Sequence, residues 1–318
     1  MDYEVLEKGA LVNSIFHFPR NQVFFTTPEL LEIGELPFVT PYEKPTRPEA
    51  LRYYRRVVET FGLRLSLGEE VLSIEKEAGG AFVVRTRPSR AAATAALAPG
   101  VSRGEGEPTR ARRARFVVLA SGYYDNPNRL GIPGECLPHV SHYYVEAHAH
   151  YGQRVLVVGG KNSAALAALD LFRNGASVTL VHRRQALSDS IKYWIRPDID
   201  NRIKEGSIAA RFESQVVEIR AASAVVTGPG GREEIAADAV FLLTGYHPDR
   251  TLLEGAGVRV DPVSLEPEHD PATFETNVPG LFVAGSMVSG NRTNRIFIEN
   301  GRFHGDAILA ALAARRRG

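Results

Sequence analysis

The turn Gly159-Gly160-Lys161-Asn162-Ser163-Ala164 follows the apolar run Val155-Leu-Val-Val and opens an alanine-rich stretch. A glycine-rich turn between a buried strand and a helix suits a pyrophosphate, which takes the backbone N–H groups and the positive end of the helix dipole. Lys161 stands where the fingerprint has its second glycine, so its stem must point away for a phosphate to approach closely. A strand-to-helix turn with no ligand is the alternative, and the strand before and helix after it weigh against that. The next strand ends in Val181-His182-Arg183-Arg184, where a site for NAD would carry an acid. Guanidinium groups there match a 2′-phosphate in charge and fork geometry, which points to NADPH. At about 1.5 to 3 kcal/mol per charge-assisted contact, two arginines favour NADPH over NADH by well over about tenfold.

A second set of residues repeats this logic. Glu7 and Lys8 end a strand-like start, Met1 to Lys8, and an acid ending the second strand of a dinucleotide unit takes the ribose hydroxyls. Phe116-Val-Val-Leu-Ala-Ser121-Gly122-Tyr echoes Val240-Phe-Leu-Leu-Thr244-Gly245-Tyr, each an apolar strand ending in a small hydroxyl residue and a glycine. Such a glycine turns the chain sharply or lets a ligand near the backbone. Gly280-Leu-Phe-Val-Ala-Gly285-Ser286 reads as the return strand of a flavin domain, with Ser286 a neutral hydrogen-bonder where many FAD enzymes carry an aspartate. Asn300 and Gly301 then open a helix, Gly301 to Arg315, whose positive end suits the flavin pyrimidine. Asn13, Ser14 and His17, after the Glu7 strand, are weak candidates for lining the isoalloxazine. His304 reads as a packing histidine at a helix start. Cys136 has neither a second cysteine nor a base beside it in the sequence and reads as an inert thiol.

The elements that must position these residues follow from periodicity. Strands are expected at 68–76, 81–86, 116–120, 154–158, 177–182 and 237–243, and helices at 47–60, opened by Pro48, and 164–174. Residues 88–115, rich in Ala, Gly, Pro and Arg and without apolar periodicity, read as an exposed hairpin excursion or mobile loop. The implied fold is α/β, with two Rossmann-like dinucleotide-binding domains. Residues 1–139 and 249–318 form an FAD domain split around an NADPH domain at 140–248.

With 318 residues, 44% hydrophobic and 24% charged, the chain has the length and balance of two globular domains. A net charge of +1 argues against wholesale attraction to nucleic acid or membrane, and Arg315-Arg316-Arg317 reads as a solvated helix end. No apolar run approaches the ~20 residues of a membrane span, and the acidic start lacks the regions of a signal peptide. One cysteine excludes a Cys-x-x-Cys pair within the chain and agrees with a cytoplasmic location. The oligomeric state is open, and a homo-oligomer is compatible with the sequence.

Glu7-Lys8-Gly with Val12-Asn-Ser-Ile, Gly122-Tyr-Tyr-Asp-Asn-Pro, Gly159-Gly-Lys-Asn-Ser, Thr244-Gly-Tyr-His-Pro-Asp and Ile296-Phe-Ile-Glu-Asn-Gly-Arg-Phe-His-Gly305 together resemble the YpdA family of bacillithiol disulfide reductases. The resemblance covers nearly the whole chain apart from 88–115. It implies FAD and NADPH as cofactors and hydride transfer from nicotinamide to flavin. The electrons then pass to a small-molecule disulfide such as bacillithiol disulfide. It also implies that Lys161 and Ser286 are family habits. The family's cysteine belongs to a first glycine-rich turn that this sequence does not contain, so the resemblance assigns the thiol step to no residue here. A flavin-dependent monooxygenase and a truncated, NADPH-binding non-enzyme are the alternatives; oxygen uptake separates the first, and a colourless protein would indicate the second. Since the sequence starts at a second strand, the expectation is that the chain holds FAD poorly, binds NADPH, and has a reading frame extending upstream by roughly 30 residues, a β-turn-α piece.

Overall fold

The computed structural model describes residues 2–89 and 109–315. In chain order these form β1 (Val5–Glu7), α1 (Asn13–Phe16), α2 (Arg47–Phe61), β2 (Leu65–Leu67), β3 (Glu69–Lys76), β4 (Phe82–Pro88), β5 (Arg110–Ala114) and β6 (Val117–Leu119). There follow β7 (Val140–Ser141), β8 (Arg154–Val158), α3 (Asn162–Arg173), β9 (Ser177–Val181), α4 (Arg196–Lys204), β10 (Ala209–Arg211), β11 (Gln215–Arg220), β12 (Ser223–Gly228), β13 (Gly231–Ala236) and β14 (Ala239–Leu242). The chain closes with α5 (Thr251–Gly255), β15 (Leu281–Val283), α6 (Ile298–Gly301) and α7 (His304–Arg315). It divides into two compact units, one made of residues 1–17, 22–126 and 246–318, the other of 18–21 and 127–245.

The inserted unit is built on a five-stranded parallel sheet in the order β10-β9-β8-β14-β7. Val155 to Val158 and Ala239 to Leu242 are buried throughout, as strands covered on both faces must be. Helix α3 turns Ala164, Ala165, Ala168 and Leu171 inward, and their small size lets it lie close to the sheet. A separate antiparallel meander, β11-β12-β13, packs Val216, Ile219, Ala224 and Val226 into the same core as Leu156, Val181 and Leu242. The domain boundary differs from the expected 139/140. Asn128 N–H donates to Gly245 O at 2.9 Å, and Ile132 and Leu137 pack on this core, so 127–139 belongs with the insert.

The split unit holds two parallel pairs, β1–β2 and β6–β15, and an antiparallel sheet β3-β4-β5. Among the described residues neither strand of one pair is hydrogen-bonded to a strand of the other. Its core gathers Ile74, Phe82, Leu119, Leu281, Val283 and Met287. Helix α2 starts at a capping box, with Thr46 N–H and hydroxyl both donating to Glu49 Oε2, and stops at Gly62 in the left-handed region. Ala50, Tyr53, Tyr54 and Val57, spaced three and four apart, form its buried stripe.

The 88–115 stretch returns as a strand, β5, antiparallel to β4, which makes the two arms of a hairpin as expected, with 90–108 outside the described residues. The helix expected from Gly301 to Arg315 is instead two pieces, α6 and α7, and the Arg302 guanidinium between them donates to Glu29 O and Glu32 O. Among the described residues no helix is long and apolar enough to cross a membrane.

Candidate functional site

In the inserted unit the glycine turn sits between β8 and α3 as the sequence demands. Gly159 has φ 157°, and a Cβ there would lie 2.6 Å from Leu243 O and 2.8 Å from Ala164 Cβ, so only glycine lets helix and strand approach. Gly160 backs directly onto the His182 ring, which occupies the space any side chain at 160 would need. Lys161 is exposed in an extended conformation, so its stem is directed away from the core as the fingerprint position requires. No side chain caps α3 and no acid lies in its first turn, which leaves its N-terminal N–H groups available to an anion.

Arg183 and Arg184 are exposed just beyond β9, and their guanidinium groups have no partner among the described residues. This is unusual in a chain where Arg154, Arg173, Arg196, Arg211 and Arg220 are all ion-paired in the same unit. Burial, then the adjacent Arg183 and Arg184 charges, push the His182 imidazole below its usual range. Its Nε2 is buried without a hydrogen-bond partner among the described residues. These features fit a phosphorylated dinucleotide.

Of the remaining residues of this set, Asn162, Thr244 and Gly245 are engaged within the unit. Asn162 uses its side chain on a neighbouring segment, donating to Ser190 O at 3.2 Å and accepting Lys192 N–H at 2.9 Å. Ser163 is exposed on the first turn of α3. Thr244 Oγ1 donates to Asn128 O at 2.6 Å, and Gly245, at φ 94°, faces Asn128 Nδ2. Asn128 and Ser188, whose N–H donates to Gly160 O at 2.8 Å, were not foreseen, since neither lies in a motif.

In the split unit Glu7 is half-buried and accepts the Gly9 N–H at 2.6 Å. Burial raises its carboxyl above the ordinary value, the Gly9 bond only partly opposing it. Lys8 pairs with Asp125 at 3.2 Å. Gly122, Gly285, Ser286 and Gly301 come together although they are far apart in sequence. A Cβ on Gly122 would touch Ser286 Oγ at 3.4 Å, and one on Gly301 would lie 3.6 Å from Gly285 Cα. Gly122 and Gly285 both have positive φ, near 68° and 70°, so this bare backbone surface depends on glycine. Ser121 Oγ faces Met287 Sδ at 3.9 Å. A flavin fits such a glycine-lined surface.

Other members of the set are engaged locally. Asn13 Oδ1 accepts Ala10 N–H at 3.1 Å; Ser14 O accepts the His17 N–H at 3.2 Å, and His17 O accepts the Tyr124 hydroxyl at 3.1 Å. Asn300 accepts Phe297 N–H at 2.8 Å and donates to Arg295 O, closing the turn that starts α6. His304 is buried, stacks on Phe274 at 4.1 Å, and accepts the Gly285 N–H through Nδ1 at 3.1 Å, so it is a packing residue. Cys136 is an exposed free thiol.

Comparison with known proteins extends this picture. A family model described as pyridine nucleotide-disulphide oxidoreductase matches residues 1–98 and 108–285. The chain is 41% identical to bacilliredoxin reductase Bdr of Bacillus subtilis (strain 168) over 99% of its own length and 91% of that protein. Its structure resembles the bacillithiol disulfide reductase Bdr (YpdA) from Bacillus cereus with a TM-score of 0.92 at 40% identity, covering 99% of this chain and 92% of that one. The Staphylococcus aureus counterpart gives a TM-score of 0.88 at 35% identity, covering 99% and 91%. These likenesses favour an enzyme acting on a disulfide over the monooxygenase and over a non-enzyme. The chain therefore belongs to the pyridine nucleotide-disulphide oxidoreductase family and, within it, to the Bdr (YpdA) group.

Proposed function

We propose that the chain is a reductase of a low-molecular-weight disulfide, bacillithiol disulfide or one of its close relatives, acting in the cytoplasm. The observation that supports the substrate class is the likeness, over 99% of the chain, to the solved bacillithiol disulfide reductases of Bacillus cereus and Staphylococcus aureus. FAD and NADPH are its cofactors: when both are bound, they supply transfer of a hydride from nicotinamide to flavin and of two electrons onward to the disulfide. The chain's own part is to bind and orient. Gly159, Gly160 and the uncapped start of α3 present N–H groups to a pyrophosphate, while Arg183 and Arg184 hold the 2′-phosphate. Glu7 accepts the ribose hydroxyls of the flavin nucleotide, and Gly122, Gly285, Ser286 and Gly301 give it a surface without side chains.

The test is stoichiometric. Under anaerobic conditions NADPH oxidation should depend on added bacillithiol disulfide, with one NADPH consumed for each disulfide and two thiols released. NADPH consumption that instead tracks oxygen uptake and ignores the disulfide would refute this reading.

A further inference from the structure

Residues 185–195 connect β9 to α4 across the glycine turn, and they are fastened to it. Ser188 N–H donates to Gly160 O, Lys192 N–H to Asn162 Oδ1, and Asn162 Nδ2 to Ser190 O. The Ser188 and Ser190 hydroxyls bond at 2.8 Å, and Arg196 donates to Ser188 O at 3.3 Å. Leu187, Ile191 and Ile195, four residues apart, are buried beneath. The same segment leaves its two large aromatic rings outside: Tyr193 is 81% and Trp194 39% exposed. They meet edge to face at 4.8 Å, with Lys192 Nζ 5.9 Å from the Trp194 ring. Exposed aromatic rings on a hydrogen-bonded segment beside a phosphate-binding turn are what a heterocyclic base stacks on.

Resting on the NADPH reading above, we propose that Tyr193 and Trp194 form the wall against which the adenine ring of NADPH packs. Arg183 and Arg184 at the start of this connection suit the 2′-phosphate, and the turn it is tied to suits the pyrophosphate. Adenosine is the group joined to both phosphates. Its base is thus confined between two anchor points that this one segment links. The pairing accounts for an otherwise costly arrangement, in which Asn162 gives up its side chain to hold the segment rather than to contact a phosphate.

Trp194 is the chain's single tryptophan, so its emission reports this place alone. The probe is 2′,5′-ADP, which carries adenine and both adenosine phosphates but no nicotinamide, and does not absorb in the tryptophan emission band. Titrated into the full chain, it should change Trp194 emission saturably, with the same midpoint that calorimetry gives. Tyr193→Ala should weaken its binding about tenfold, and Tyr193→Phe should restore it. If calorimetry shows binding that Tyr193→Ala leaves unchanged and Trp194 emission does not move, the wall is wrong while the NADPH site stands. A response of Trp194 to nicotinamide mononucleotide but not to 2′,5′-ADP would likewise overturn the adenine assignment. If the wild-type chain binds no 2′,5′-ADP and no NADPH, the NADPH reading itself has failed.

Discussion

Arg183 and Arg184 show how much a residue can say by what it does not touch. Left unpaired where neighbouring arginines are neutralised, they hold charge ready for an anion. Replacing both with alanine should weaken NADPH binding by at least about tenfold and leave NADH nearly unchanged, measured by nucleotide fluorescence. Equal losses for both nucleotides would remove the 2′-phosphate from the argument. Cys136 lies at the other extreme, an exposed free thiol in a chain with no second cysteine, so Cys136→Ala should keep both nucleotide binding and disulfide-dependent turnover. Its neighbour Glu135 is buried and accepts N–H groups from Leu130 at 2.8 Å and Gly131 at 2.7 Å, with His142 Nε2 3.2 Å away. Burial works to raise this carboxyl, but the N–H donors and His142 outweigh it and hold it below its ordinary value of 4.5. A depressed carboxyl stabilises the fold above its unfolded pKa, and that stability is lost as pH falls through the folded one. Glu135→Gln should therefore cost about 1 to 3 kcal/mol near neutrality and flatten the fall in urea midpoint below about pH 5. An unchanged acid limb would show that the pair does not matter.

Among elements, the β8-turn-α3 unit was legible in the sequence because its determinants are local: an apolar run, glycines, then small helix formers. Strands β11 to β13 were not, since Glu218, Arg220, Arg232 and Glu234 pair across strands and give a polar pattern that no period in the sequence marks. The same limit hid Asn128 and Ser188, whose importance lies in partners far along the chain. On the flavin side the motifs picked out Gly122, Gly285, Ser286 and Gly301, which the fold brings together. That Asn300 would be spent on a turn was not legible, because competition between a backbone partner and a ligand leaves no trace in residue type. The turn also yields a coupled test. Gly160→Ala should drive a methyl into the His182 ring and lower nucleotide affinity at least about tenfold, while adding His182→Ala should recover part of it. Strict additivity of the two losses would mean that the ring is not the obstacle.

For the whole molecule, each unit carries its own core, one around Leu281 and Phe82, the other around Leu156 and Val240. Heating should give two transitions. At a hundredfold excess over its dissociation constant, 2′,5′-ADP should stabilise one of them by about 2.7 kcal/mol and leave the other in place, as calorimetric scans can show. A uniform shift of both would contradict independent cores. Each unit ties together its own two ends of the crossing: His247 N–H donates to Asn126 O at 3.0 Å in the split unit, and Asn128 N–H to Gly245 O at 2.9 Å in the inserted one. The insert thus departs and returns at neighbouring points, which is the geometry that makes a segment portable. Residues 127–245 have the form of a cassette whose cut ends already touch, and joining Asn126 to Tyr246 would need only a short bridge. Nature could exchange nucleotide preference in such a protein by grafting one cassette for another, leaving the flavin chassis unaltered.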